Sequence, residues 1–247
     1  MRIRLIVEYD GTNYAGWQRQ KNGLSVQQAL EEAFERASGE RVSITGAGRT
    51  DAGVHALAQV AHFDTQCTIP PEKISYAINM YLPRDIRVKR SEQAADDFHA
   101  RFNACGKTYR YTIYNAPHPS AIYRNLSCHI SGSLDLDAMR SAAAYLIGTH
   151  DFASFCAAGS EVKDTVRTIH ALAITEELPF IHIEVTGSGF LYHMVRIIAG
   201  TLIDIGLSRI PPERMQEVLN KKDRNAASST APAQGLTMLK VYYEPLI

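Results

Sequence analysis

An α+β fold of two β-α-β-β-α-β modules, their antiparallel sheets flanking a central cleft, is what this 247-residue sequence predicts, on three observations. Over the first ninety positions the apolar residues switch between period two and helical spacing in the order strand, helix, strand, strand, helix, strand. The same order recurs from position 107 onward. Between them, residues 91–106 carry no clean periodicity, which sets a boundary between an N-terminal module over 1–104 and a C-terminal module over 105–247.

Ile3, Leu5, Val7 and Tyr9 alternate with Arg2, Arg4, Ile6 and Glu8, a period-two strand that ends at Asp10-Gly11. Ser25 opens a helix: Gln28 stands three residues on in a capping-box pattern, Val26, Ala29, Leu30, Ala33, Phe34 and Ala37 follow at helical spacing, and Gly39 is placed to end it. A short strand over 41–45, a longer one over 56–65, a helix over 71–82 and a strand over 85–90 complete the first module. In the second, a strand over 107–114 precedes a helix over 136–147 behind Asp135, then strands over 165–175 and 180–186. A helix from Phe190 to about Ile205, a shorter one over 212–220 and a closing strand over 236–243 follow. This is the order of ferredoxin-like or RNA-recognition-like modules, an order that does not by itself choose a function.

A 45% apolar and 21% charged composition is that of a globular chain able to bury a core without staples. Its 26 cations balance 26 anions, so no global field attracts a polyanion and any nucleic acid must be met by a local patch. Of those cations 18 are Arg, the planar fork that pairs bidentately with phosphate and carboxylate. Cys67, Cys105, Cys128 and Cys156 are far apart and the nine His show no ligand spacing, so no metal is expected. The N-terminus reads as neither secretory nor transit segment, and no apolar run approaches the roughly 18 residues of a membrane span. A reduced cytoplasmic protein without a membrane partner is expected.

Three segments can carry chemistry. Gly46-Ala47-Gly48-Arg49-Thr50-Asp51-Ala52-Gly53-Val54-His55 has three glycines in eight residues but is no phosphate loop, because Asp51 stands where a third glycine would be needed. Arg49 and Asp51 fall on one side of an extended backbone with small neighbours holding the carboxylate out; a turn with an Asx-type hydrogen bond fits the same spacing. In Gly187–Gly200, Leu191, Met194, Val195, Ile198 and Leu202 form a core stripe, and Ile197, Ala199 and Ile203 make the helix apolar nearly all round. Arg196 in the middle of it needs a carboxylate or must snorkel outward. Between Arg101 and Tyr114 cations and aromatics interleave, with Lys107, Tyr109 and Tyr111 on one strand face and Thr108 and Arg110 on the other. Such rings can stack a base while a guanidinium holds phosphate; an ordinary Tyr-rich strand reads the same way.

Together, Gly48–His55, Tyr109-Arg110-Tyr111 and Met194-Val195-Arg196 resemble the TruA family of tRNA pseudouridine synthases. Tyr9-Asp10-Gly11, Gly16–Gln20, Asp97–Phe102 and Ala231–Leu236 resemble that family too, in the same order, so the likeness runs nearly end to end. Ser188 departs from the Asn or Asp common in its turn. The resemblance implies isomerisation of uridine to pseudouridine at positions 38, 39 and 40 of the tRNA anticodon stem-loop, by a homodimer without cofactor. It implies Asp51 as nucleophile, Tyr109 against the target base, Arg196 as the partner of Asp51, and Arg49 helping to turn the nucleotide out. The chemistry agrees: a carboxylate that attacks C1′ or C6, or assists 2′ deprotonation, must stay charged in a water-poor pocket, and a nearby guanidinium counters the effect of burial. Extruding a stem base costs a few kcal/mol, to be offset by backbone contacts from Arg19, Arg49, Arg101, Lys107 and Arg110. Two other readings stay open: a non-catalytic RNA binder of the same fold, and glycoside hydrolysis, which normally uses two carboxylates about 5–9.5 Å apart where this loop offers one.

Overall fold

The computed structural model describes residues 1–159 and 162–246, which form a mixed α+β protein. The chain gathers into two compact units, one of residues 1–105 with 238–245 and one of residues 106–237 with 246.

In the first unit, β1 (Arg2–Tyr9) alternates as its pattern requires, burying Ile3, Leu5, Val7 and Tyr9. It lies between antiparallel β3 (His55–Asp64) and β4 (Ile86–Gln93), with Leu5 opposite Ala61 on one side and Ser91 on the other. Helix α1 (Val26–Ser38) starts as expected, the Ser25 hydroxyl accepting from the Gln28 N–H at 3.1 Å, and ends at Gly39 with φ 76°. The capping box closes on one side only, since the Gln28 side chain donates to Glu32 instead. Phe34 of α1 meets Phe63 of β3 edge-on, 4.7 Å between centroids.

Two expectations shorten here. The strand over 41–45 reduces to β2 (Thr45–Gly46) against β3, because the Ile44 N–H donates to the buried Glu31 carboxylate rather than joining a ladder. Glu31 also accepts from Arg19 and Gln27, the three donors that make a carboxylate tolerable on the inner face of α1. The helix over 71–82 becomes one 3-10 turn, Pro71–Lys73, and α2 (Ile74–Asn79). It stops because the Asn79 side chain hydrogen-bonds both the N–H and the carbonyl of Val88 at 2.8 Å, tying the helix end to β4.

The second unit centres on β9 (Phe180–Gly187), antiparallel to β5 (Gly106–Asn115) and β8 (Val166–Glu177). Two strands too short to show a period, β6 (Cys128–Ile130) and β7 (Gly148–Asp151), add to β5 in parallel and to β8 antiparallel. Helix α3 (Leu136–Ala144), capped by Asp135, packs with α4 (Met194–Gly206), and α5 (Arg214–Lys221) follows. Helix α4 is buried all round except at Arg196 and Asp204, as the apolar pattern requires. It begins four residues later than the sequence indicates, because His193 takes a left-handed conformation, φ 59°, and breaks the helix before Met194. Of β10 (Leu236–Tyr242), the residues from Met238 onward belong to the first unit, beside β3.

Candidate active site

The loop between β2 and β3 carries Arg49 and Asp51, and backbone contacts hold it down along its length. The Ala47 N–H donates to Val60 O at 2.7 Å, the Gln59 side-chain amide to Gly48 O at 2.8 Å, and the Trp17 N–H to Thr50 O at 3.0 Å. Val54 N–H donates to Asp51 O at 3.1 Å and closes the turn through Gly53, φ 78°. Beneath, the Tyr9 hydroxyl and Thr50 Oγ1 share a hydrogen bond of 2.8 Å, and the Gly11 N–H donates to His55 Nδ1 at 3.0 Å. The segment 9–17 presses so close that side chains are excluded. A Cβ on Gly11 would lie 2.0 Å from Val54 O, and one on Gly16, φ 97°, 2.6 Å from Thr50 O. Thr50 is consequently buried, Asp51 half-buried and Arg49 exposed: the carboxylate is displayed on a base held by hydrogen bonds and close backbone contacts.

Two ionisable groups of that base have fixed states. Burial drives the Tyr9 phenol far above its ordinary range against opposing hydrogen bonds from Thr50 and Gln59, so it stays neutral. Burial also disfavours charge on Asp10, but hydrogen bonds from Thr12 and the nearness of His55 outweigh it and hold the carboxyl below its ordinary range.

In the second unit Tyr109 stands on β5 opposite Val185, buried, with Phe190 edge-on at 5.1 Å and 84°. The other face of β5 is a polar ladder: Thr108 with Thr186 at 2.7 Å, Arg110 donating to Glu184 at 2.5 and 2.7 Å, and Thr112 with His182 at 3.3 Å. Arg196 sits in the first turn of α4, not mid-helix; a cation there meets the positive end of the helix dipole, which strengthens its demand for an anion. Its Nε donates to Ala231 O at 2.8 Å while the Ala231 N–H donates to Arg196 O at 3.1 Å. The next carbonyl along, Pro232 O, accepts from the fully buried Tyr111 hydroxyl at 2.9 Å. Gly200 and Gly235 admit this segment: a Cβ at either would strike Ser229 O at 2.0 Å or the Tyr111 ring at 2.6 Å. Residues 228–235 thus strap α4 and β5 at the two elements that bear Arg196 and Tyr109.

A family model described as tRNA pseudouridine synthase matches residues 5–103 and 142–244, taking in the Asp51 loop, Arg196 and the strap. The tRNA pseudouridine synthase A of Ruminiclostridium cellulolyticum is 51% identical over 243 residues, 98% of this chain and 99% of that one. Its counterpart in Bacillus subtilis is 49% identical over 246 residues, 99% of this chain and 100% of that one. This chain belongs to the tRNA pseudouridine synthase family. It is therefore an isomerase that converts uridine in tRNA to pseudouridine.

The cations expected of this synthase are unequally placed. Arg49 and Arg101 are exposed, and Lys107 is half-buried opposite Gly187. Arg19 donates to Glu31 at 2.9 Å with its side chain half-exposed, and Arg110 is held by Glu184 on the face of β5 away from Tyr109. Among the described residues no three His, Cys, Asp or Glu are grouped to hold a metal, and no helix is long and apolar enough to cross a membrane. Sequence reasoning missed Gln59, Thr50 and Tyr111 as supports. Their signals were faint: a Gln on the buried face of a strand, a Thr lost among loop residues, and a Tyr indistinguishable from its neighbour two positions away.

Proposed function

We propose that this synthase, built from two ferredoxin-like modules and working in the cytoplasm as a homodimer without cofactor, isomerises uridines 38, 39 and 40 of the tRNA anticodon stem-loop with Asp51 as nucleophile. What carries this reading is the Asp51 loop: a rigid floor of Tyr9, Thr50 and Gln59 presents one carboxylate on a backbone that cannot yield. Arg196 pairs with Asp51, keeping it ionised, and each meets the other's electrostatic need. Asp51 attacks, the C1′–N1 bond breaks and the uracil turns against the Tyr109 ring; the C1′–C5 bond then forms as the bond to Asp51 is released, the C5 proton passes by way of the Tyr109 hydroxyl to water, and N1 takes up a proton from water. Arg49 helps extrude the nucleotide, and Arg19, Arg101, Lys107 and Arg110 contact the tRNA backbone.

Asp51→Asn keeps the shape and removes the charge. It is expected to retain tRNA binding and to lose pseudouridine formation, read by mapping pseudouridine in tRNA after incubation with each protein; full activity would remove Asp51 from the nucleophile's role. The same mapping on tRNA from cells lacking the protein is expected to show uridine at 38, 39 and 40 and pseudouridine elsewhere.

A further inference from the structure

Phe102 in the first unit is 76% exposed, yet it is not loose. Its ring lies on His99 with centroids 4.2 Å apart and planes at 30°. The His99 ring is tied down because its Nδ1 accepts the backbone N–H groups of Arg101 and Phe102 at 3.2 Å, while the His99 backbone N–H donates to the Asn103 side-chain oxygen. Behind it stands His62 of β3, 4.7 Å between centroids, whose Nδ1 accepts the Ala100 N–H at 3.2 Å. Phe98 meets His62 edge-on and Tyr243 beyond, the Tyr243 hydroxyl donates to Ala100 O at 2.8 Å, and the Arg4 guanidinium closes the row 5.0 Å over the Tyr243 ring. A backed row of rings therefore ends at the exposed Phe102, with the exposed Arg101 guanidinium 5.8 Å over its ring.

We propose that Phe102, backed by His99 and flanked by Arg101, is a stacking platform for an unpaired base of the tRNA substrate, distinct from the base being isomerised. A single exposed aromatic is ordinary on a protein surface. An exposed aromatic whose rotamer is already locked, next to a cation placed for phosphate, is the combination that single-stranded nucleic acid selects, since stacking suits any base and the immobilisation cost is met before binding. The neighbours favour a base over a protein partner: Arg101, Asn103 and Cys105, the other exposed residues of the turn, add no large apolar side chain beside the ring. The base is not the target one. His55, at the end of the Asp51 loop, and His62, under the platform, lie seven residues apart on extended β3, a separation on the order of 20 Å.

The inference rests on tRNA as substrate, and the experiment keeps the two apart. Affinity for unmodified tRNA is measured by filter binding over a series of KCl concentrations for wild type, Asp51→Asn, Phe102→Leu, Phe102→Trp and Arg101→Gln, with steady-state turnover and sedimentation alongside. Phe102→Leu is expected to weaken binding about tenfold without altering the slope of log Kd on log salt, because it removes a π face and no charge. Phe102→Trp should bind at least as tightly as wild type, and Arg101→Gln should lower the salt slope by about one. Turnover of Phe102→Leu at saturating tRNA should match wild type, with the loss confined to KM. Wild-type affinity in Phe102→Leu, equal weakening in Phe102→Trp, loss of kcat rather than KM, or a changed sedimentation coefficient would each overturn the platform, the last by making the ring a contact between copies. If neither wild type nor Asp51→Asn binds tRNA, it is the substrate reading that fails.

Discussion

Asp51 and Thr50 are neighbours in one loop, and the contrast between them shows how a residue becomes available for chemistry. Thr50 is buried and spent on structure, its carbonyl taken by Trp17 and its hydroxyl by Tyr9, and this leaves Asp51 half-exposed on a fixed base. Arg196 is held at one nitrogen by the Ala231 carbonyl, which orients the fork that the proposed pairing uses. Arg196→Lys is therefore expected to rescue poorly: a point charge forfeits the oriented donors, worth about 2 kcal/mol, so kcat should fall roughly thirtyfold while the fold persists. Wild-type turnover in single-turnover assays of that variant would contradict the pairing. Tyr109→Phe keeps the ring and loses the hydroxyl; it should bind tRNA normally and slow the release of tritium from C5-labelled uridine.

At the scale of elements, glycines and straps decide what the helices and strands present. Gly16 and Gly39 both have positive φ, but a Cβ on Gly16 would meet Thr50 O at 2.6 Å, whereas Gly39 has nothing within 4 Å. Gly39→Ala should thus cost about 1 kcal/mol in urea unfolding and leave activity unchanged. Gly16→Ala should cost more than that and also lower kcat, because relief of the clash moves the Asp51 loop; equal behaviour of the two would show the loop is not held from below. Tyr111→Phe removes a hydrogen bond to the strap from a fully buried hydroxyl, a loss of about 1 kcal/mol, and should reduce kcat more than its modest destabilisation explains. Which residues would form helices and strands was legible in the alternation of β1, the cap of α1 and the apolar girdle of α4. The ends of α2 and α4 were not, because Asn79 finds its partner on β4 and His193 adopts a backbone conformation that no local pattern signals.

At the scale of the molecule, acid should unfold the protein in two stages. His62 and His182 both titrate below the ordinary histidine value of 6.5, chiefly because burial disfavours the cation, helped by His99 and Arg2 around the first and Arg110 beside the second. A group with a lowered folded-state value contributes its stability above its unfolded value and loses it as pH falls through the folded one, so stability should begin to drop below about pH 6.5. Carboxylates held low form the second stage, which lies below their ordinary 3.8 to 4.5. Asp64 is held by its hydrogen bond from Arg2, Asp151 by Thr165 and then Lys222, and Glu40 by Thr65. Urea midpoints should therefore be lower at pH 5.5 than at pH 7.5 and fall again below pH 4; an unchanged midpoint at pH 5.5 would show that the buried histidines do not control the first stage.

By itself the sequence determined the order of most elements, the α+β class, and the segments on which the proposed chemistry stands, because period, caps and a dense motif are local and survive without the fold. It did not reveal that Gln59 and Tyr9 carry the Asp51 loop, that residues 228–235 strap Arg196 and Tyr111, or that Phe102 ends a supported row of rings. Those contacts join residues separated along the chain, 11 positions from Gly48 to Gln59, 41 from Tyr9 to Thr50 and 121 from Tyr111 to Pro232. Only tertiary structure could decide them, since they follow from which backbones approach closely enough to exclude side chains and which buried polar groups then find one another.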